Sequence, residues 1–251
     1  MSDTTRFEPG GYRFVPGVFQ YSAGVVADES HEIVHVRLRK PLPLAAGFES
    51  IAAHLANHGR PRTALCACEL RSPAPFTEAG FEAFNRQYTG TLREWGLIGA
   101  DGVNPVARSN VCPLLEPPSE PSLFAFAFTV ATPGVRPTAV VSGSGEVPEG
   151  MGGYAAHIVA AGDTSPPGMQ RKARFVVERM RERMAALGLP DPAGLSAVQV
   201  YTVEPLRDLL EAVLAPAGLA APGVTWHLAR PPIEGLAFEM DVRSTALEQV
   251  L

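Results

Sequence analysis

Thr132-Pro133-Gly134-Val135-Arg136-Pro137 stands near the middle of a 251-residue chain. Two prolines and a glycine in six residues suit neither a helix nor a central strand, so the segment reads as a linker. Before it, residues 12–26 are aromatic and β-branched around a Pro16-Gly17 turn, and residues 32–38 alternate like a half-buried strand. Together they read as an opening hairpin. Phe48, Ile51, Ala52 and Leu55 then fall at helical spacing ahead of Gly59, and residues 63–70 read as a strand. Thr77 caps a longer helix with Phe81, Phe84, Tyr88, Leu92 and Trp95 on one stripe, and residues 108–115 and 123–131 read as closing strands.

After the linker the order starts again. Residues 138–142 and 154–160 read as strands, and Met169, Ala173, Val176, Val177, Met180, Met184 and Leu187 make an amphipathic helix stopped by Gly188. A strand at 195–203, a helix opened by Pro205, and strands at 224–230 and 236–242 complete the second half. Both halves read β-β-α-β-α-β-β, so the chain is expected to be a tandem duplication with domains 1–134 and 135–251. The fold class is α+β, each unit a mixed sheet with helices on one face. The bare sheet face of each unit must be covered by its duplicated partner or by another subunit.

Composition narrows the function. The chain is 46% apolar and 19% charged, enough to bury a core, and its net charge is −5. No basic stripe is present, which argues against nucleic acid as a partner. No apolar run reaches the roughly 18 residues of a membrane span, and residues 1–6 lack the apolar centre of a signal peptide. Three cysteines point to reduced thiols and a cytoplasmic location. Arginine outnumbers lysine, of which only Lys40 and Lys172 occur, and coding bias accounts for most of that.

Gly80-Phe81-Glu82-Ala83-Phe84-Asn85-Arg86-Gln87-Tyr88, followed by Val106-Ala107-Arg108-Ser109-Asn110-Val111, resembles the second helix and Arg-bearing strand of the RidA/YjgF family of enamine/imine deaminases. Val140-Val141-Ser142-Gly143 resembles that family's early strand, and Phe238-Glu239-Met240-Asp241-Val242 its last, Glu-bearing strand. The resemblance covers nearly the whole chain as two copies. It implies a chorismate-mutase-like fold, homo-oligomeric (trimeric) self-association, pockets between neighbouring units, and no cofactor or metal. It implies that Arg108 clamps a substrate carboxylate, that Asn85 and Asn110 lie near the pocket, and that Ser142 and Gly143 come from the neighbouring unit. A bidentate Arg fixes an acid-bearing substrate, and a carboxylate beside water can serve carbon–nitrogen hydrolysis.

Neither half carries the whole motif. The first half's last strand, Leu123-Phe124-Ala125-Phe126-Ala127-Phe128, has no acid, and the second half has Pro222-Gly223-Val224 where the Arg would stand. Arg and Glu are thus expected to line different pockets, or a new acid, Glu69, Glu116 or Glu120, serves Arg108. His227 matches the Arg-bearing strand of the first half and is a candidate acid/base beside Glu239. Cys66 and Cys68, two apart on a strand, are expected to share a face as core or pocket-lining thiols, since Cys112 does not complete a metal set. His54 and His58 read as a solvated helix face. Ser142-Gly143-Ser144-Gly145 lacks the Lys of a phosphate loop, and no Gly-x-Ser-x-Gly elbow occurs.

The reading is a cofactor-independent hydrolytic deaminase of a small carboxylate-bearing enamine or imine, of 2-aminomuconate or 2-aminoacrylate type. Phe124, Phe126 and Trp226, taken as extra pocket lining, tilt it toward a dicarboxylate. Two alternatives stand beside it: a chorismatase-like hydrolase using Glu239, and a noncatalytic binding or assembly protein.

Overall fold

A computed structural model describes residues 4–132, 136–189 and 191–251. The domain boundary expected at 134/135 lies outside the described residues. The first half contains β1 (Thr5–Phe7), β2 (Tyr12–Val15), β3 (Gly24–Ala27), β4 (His31–Pro43), α1 (Leu44–Asn57), β5 (Leu65–Arg71), α2 (Glu78–Glu94), β6 (Ala107–Pro113) and β7 (Ser122–Ala131). The second contains β8 (Ala139–Gly145), α3 (Tyr154–His157), α4 (Pro166–Ala186), β9 (Ala197–Tyr201), α5 (Arg207–Leu209), β10 (Val224–His227), β11 (Ala229–Arg230), β12 (Glu239–Ser244) and β13 (Leu247–Val250). Thr77 caps α2 as its sequence suggests, its hydroxyl accepting from the Gly80 N–H. Residues 154–160 are not a strand: three glycines at positive φ (Gly150, Gly152, Gly153) deliver the chain into the single turn α3.

The strands form two sheets, in the orders β1-β2-β3-β8-β12-β9-β10 and β11-β6-β5-β7-β4-β13. The expected pairing of residues 12–26 with 32–38 in one hairpin is corrected here. β3 pairs with β2 on one side and with β8 on the other, while β4 lies in the second sheet beside β7. The reason is burial: all four residues of β3 are inside, which requires an internal position with both faces covered. In return β13 adds to β4 and β11 adds to β6. Each sheet is therefore completed by strands from the other half of the sequence.

α1 and α2 cover the outer face of one sheet through Phe48, Ile51, Phe81, Phe84 and Tyr88. α4 and the turns after α5 cover the other through Met169, Val176, Met180, Val213 and Leu214. The inner faces meet each other around Tyr12, Phe14, Val25, Ile33 and Ala107, so the duplicated partner covers the bare face of each unit. A register shift between Leu65 and Ala67 breaks the alternation of β5. Cys66 consequently joins the inter-sheet core and Cys68 the helix-side core, on opposite faces and not one.

Beside that apolar contact lies a buried polar layer. His35 Nε2 donates to Glu69 Oε1 (2.8 Å), Arg243 Nη1 donates to the same oxygen (3.3 Å), and Arg71 lies 3.6 Å from Oε2. Gln199 and Tyr201 donate to Asp241 (3.1 and 2.8 Å). Burial alone would raise the Glu69 carboxyl, yet the bond and charge of His35, with Arg243 and Arg71, hold it well below the usual range. Glu69→Ala would strand these cations, and urea denaturation should show a loss of about 3–5 kcal/mol. The depressed carboxyl also sets a sign for pH. Its contribution is complete above the ordinary Glu value of about 4.3 and is lost as pH falls toward the folded value, so Glu69→Gln should flatten the acid side of the stability profile.

Candidate active site

β6 runs parallel to β5 with Arg108 opposite Cys68, so the arginine points to the helix side, toward α2. There Phe81, Phe84, Asn85 and Tyr88 share the inward face of the helix, the spacing visible in the sequence. The guanidinium carbon lies 5.0–5.8 Å from the ring centroids of Tyr21, Tyr88, Phe81 and Phe84. Nη1 donates to Asn85 Oδ1 at 2.6 Å. Among the described residues no carboxylate lies within ion-pair distance of this cation, which is only 3% exposed. Burial lowers its pKa, while Tyr88, Tyr21 and Glu239 act the other way. A buried, aromatic-walled cation without an acid beside it favours an anion from outside.

The Arg108 N–H donates to Ser142 Oγ (3.0 Å), and that hydroxyl donates to the Ser22 carbonyl (2.6 Å). This ties β6 to β8. Gly143, the next residue, has room for no side chain: a Cβ there would collide with Glu239 Oε1 and press on Ser109. Glu239 opens β12, hydrogen-bonded to β8 opposite Gly145. Burial pushes its carboxyl well above the ordinary value, and the Asp241, Glu149 and Glu146 carboxylates push the same way against Arg108. The backbone entering this position is clamped from below. Glu146 accepts from the Ala237 and Phe238 N–H groups (2.6 and 3.0 Å) and from the Lys172 ammonium (3.1 Å), a fully enclosed pair.

Arg108, Asn110, Gly143 and Glu239 line one cavity of about 40 Å³. Its wall also includes Tyr21, Glu149 and Tyr154. Phe81 and Tyr154 separate it from a recess of about 350 Å³ that reaches Asn85 and Gln20. Asn110 Oδ1 accepts from Ser72 (3.0 Å), while its Nδ2 is buried without a partner. The cavity thus offers an anion receptor, a spare amide donor and a carboxyl inclined to hold its proton.

Arg108 and Glu239 were expected to serve different pockets; they face the same one, because packing brings β6 of one sheet against β8 and β12 of the other. Asn85 stands on the other side of Arg108, and Ser142 acts on the Arg108 backbone. His227 is not beside Glu239. Tyr201 stands between them in the strand ladder, which separates the two by about 10 Å. The His227 ring stacks on Tyr201 and donates to Gln199 (2.8 Å), and burial, with the Arg71 charge, lowers its pKa to about 4. Glu69 belongs to the polar layer, and Glu116 and Glu120 are outside the cavity.

Phe124, Phe126 and Trp226 do not line it either. Phe126 is in the α1/α2 core, Phe124 lies 4.0 Å under Arg71, and Trp226 is 46% exposed. His54 is buried edge-on against Phe126 and Phe128, so of the two histidines only His58, at the C-cap of α1, is exposed. Tyr21 and Glu149 escaped the sequence reading because they sit on irregular segments, and Tyr154 because residues 154–160 read as a strand; the glycines at 150–153 were the one available signal. Among the described residues no group of three or more His, Cys, Asp or Glu side chains could hold a metal.

Residues 4–249 match the family described as 2-aminomuconate deaminase CnbZ. The chain is 47% identical over 253 residues, with all of both chains covered, to the 2-amino-5-chloromuconate deaminase of Comamonas testosteroni. Among solved structures it is similar to a chorismatase (13% identity, TM-score 0.51, 96% of this chain and 79% of that one), a likeness of fold. It is also matched, over 43% of its length and 80% of the other chain, by the YjgF gene product of E. coli (16% identity, TM-score 0.31).

Gly143→Ala tests the geometry. The added methyl displaces the Glu239 carboxyl, and a displacement of about 1 Å should lower turnover about a hundredfold while circular dichroism shows the fold retained.

Proposed function

The chain belongs to the CnbZ family of 2-aminomuconate deaminases, and from that premise we propose that it hydrolyses a 2-aminomuconate-type acid with Arg108 and Glu239 as the acting residues. The enzyme is a hydrolytic deaminase of a small carboxylate-bearing enamine or imine. The observation that carries the residue assignment is the pairing of the Arg108 cation with the high-pKa Glu239 carboxyl in one cavity.

In this reading Arg108 takes the carboxylate next to the reacting carbon, fixed in orientation by Asn85. The spare Asn110 N–H holds the substrate's oxygen or nitrogen. Glu239 gives its proton to the imine nitrogen of the substrate's imine tautomer. Water adds to the carbon, and the Glu239 carboxylate takes back a proton from it, leaving a carbinolamine. Glu239 then protonates the amine. The carbon–nitrogen bond breaks as the hydroxyl becomes a carbonyl and returns its proton to Glu239. Imine and water are consumed; oxo acid and ammonia are released.

The assembly and location follow by inference. Leu114, Leu115, Trp226 and Leu228 form an exposed apolar edge where β11 meets β6, which supports a homo-oligomer. Among the described residues no helix is long and apolar enough to cross a membrane; a cytoplasmic location rests on the reduced thiols.

Ammonia release from 2-aminomuconate generated in situ is the direct test. Arg108→Ala should raise KM about a hundredfold through loss of a charge-assisted, bidentate contact. Glu239→Gln should lower kcat at least about a hundredfold with KM little changed. A carboxyl raised by burial is protonated below its pKa, so wild-type turnover should hold below the raised Glu239 pKa and fall as pH rises through it. Retained ammonia release by both variants would overturn the assignment.

A further inference from the structure

One ion pair beside the cavity has no part in these steps. Glu149 lines the wall near Arg108 and Glu239, and its carboxylate is 2.5 Å from Arg183 Nη2. Arg183 comes from α4 and is 8% exposed. Its Nη1 donates to the carbonyls of Ser142 (2.9 Å) and Gly143 (3.3 Å), the strand that forms the cavity wall. The charges of Glu149, Arg183 and Arg108 all act on the Tyr21 hydroxyl.

Charge balance makes this pair informative. With Glu239 protonated, the cavity wall carries one cation, Arg108, and one anion, Glu149. An acid with a carboxylate at each end brings two negative charges into it. The adjoining recess has no cation in its lining and carries Glu78 and Glu82. Arg183 is not part of the cavity lining; it is joined to the cavity through Glu149, a lining carboxylate of the protein's own that occupies it. The cavity of about 40 Å³ has room for only a few waters, far less than a six-carbon diacid needs.

Glu149 is carried by a segment suited to movement. Gly150, Gly152 and Gly153 follow it with φ of 74°, 65° and 62°, a region glycine enters freely. The far end of the segment is tied to α2 by the Gly153 N–H donating to Glu78 Oε1 (2.7 Å).

We propose that Arg183 is the receptor for the substrate's second carboxylate and that Glu149 holds its place until a dicarboxylate displaces it. Displacement carries segment 149–153 outward, while Glu146 and the core residue Val147 stay in place, and joins the cavity to the recess across Tyr154. The proposal deepens the deaminase reading and rests on it for the first carboxylate at Arg108. It makes the enzyme selective for dicarboxylic acids: a monocarboxylate has nothing to exchange for the Glu149–Arg183 bond and meets Glu149 as a like charge.

Two unreactive six-carbon probes isolate the second carboxylate. Muconate carries one at each end, and sorbate has the same diene with a methyl group in place of one of them. Their inhibition constants are compared in wild type, Glu149→Gln and Arg183→Gln. Muconate should bind wild type more tightly than sorbate. Arg183→Gln should weaken muconate about tenfold or more and sorbate less than about threefold. Glu149→Gln, which preserves the shape of the wall, should strengthen muconate relative to sorbate by about tenfold. A muconate-to-sorbate ratio unchanged within about twofold in Glu149→Gln overturns the proposal, even where Arg183→Gln does not fold. Failure of wild type to release ammonia from 2-aminomuconate would strike the deaminase reading instead, and the probe ratio is read independently of it.

Discussion

Each sheet carries its helices on one face only, so its other face has to be buried, and the two inner faces bury each other. This requirement orders the rest of the molecule. A fully buried strand such as β3 needs hydrogen-bonding neighbours on both sides, and it takes β8 from beyond the linker as one of them. Once β3 and β8 are adjacent, the Ser142 hydroxyl lies between the Ser22 carbonyl and the Arg108 N–H. A single side chain then sets the distance between the Arg-bearing strand and the Gly-bearing one. A hydrogen bond of this kind is worth about 1 kcal/mol net, so its value here is positional more than energetic.

The inter-sheet contact is not uniformly apolar, and the polar part has a cost. Taking ions from water costs several kcal/mol each, and only good pairing recovers it. Glu69 meets that condition with His35, Arg243 and Arg71 around its two oxygens. Such a layer fixes one register, since slipping any of these strands by one residue against its neighbours would turn its charges toward the helices. Arg108 is the contrasting case, a buried cation left without an acid. Stability alone would not keep it there, and binding of an anion gives it a reason.

Much of this was legible in the sequence where local rules decide. The α2 stripe of Phe81, Phe84 and Tyr88, the Thr77 cap and the repeated element order depend on periodicity and capping, which act within a few residues. Strand exchange was not legible, because periodicity says that residues 24–27 form a strand but not which strand pairs with it. The bulge at Cys66 defeated a face assignment based on strict alternation, and Tyr201 between Glu239 and His227 defeated one based on strand equivalence. Glu149 carries no periodic signal at all, Tyr154 opens a stretch that reads as a strand and folds as a helical turn, and only the surrounding glycines mark the segment.

The split of Arg and Glu between the halves follows from the same packing. β7 lies between β5 and β4 with seven of the residues from Ser122 to Thr129 buried, in a position where an acid would need a partner inside the core. The first half can lose that acid because β12 of the other sheet supplies Glu239 to the cavity that Arg108 faces. The second half can lose its Arg because β10 closes the sheet as an edge strand. In the proposed site, two half-equipped copies thus contribute their Arg and Glu to the same cavity. That asymmetry frees the surroundings of Arg108 to change without a matching change elsewhere, and a chain of two identical units has no such freedom.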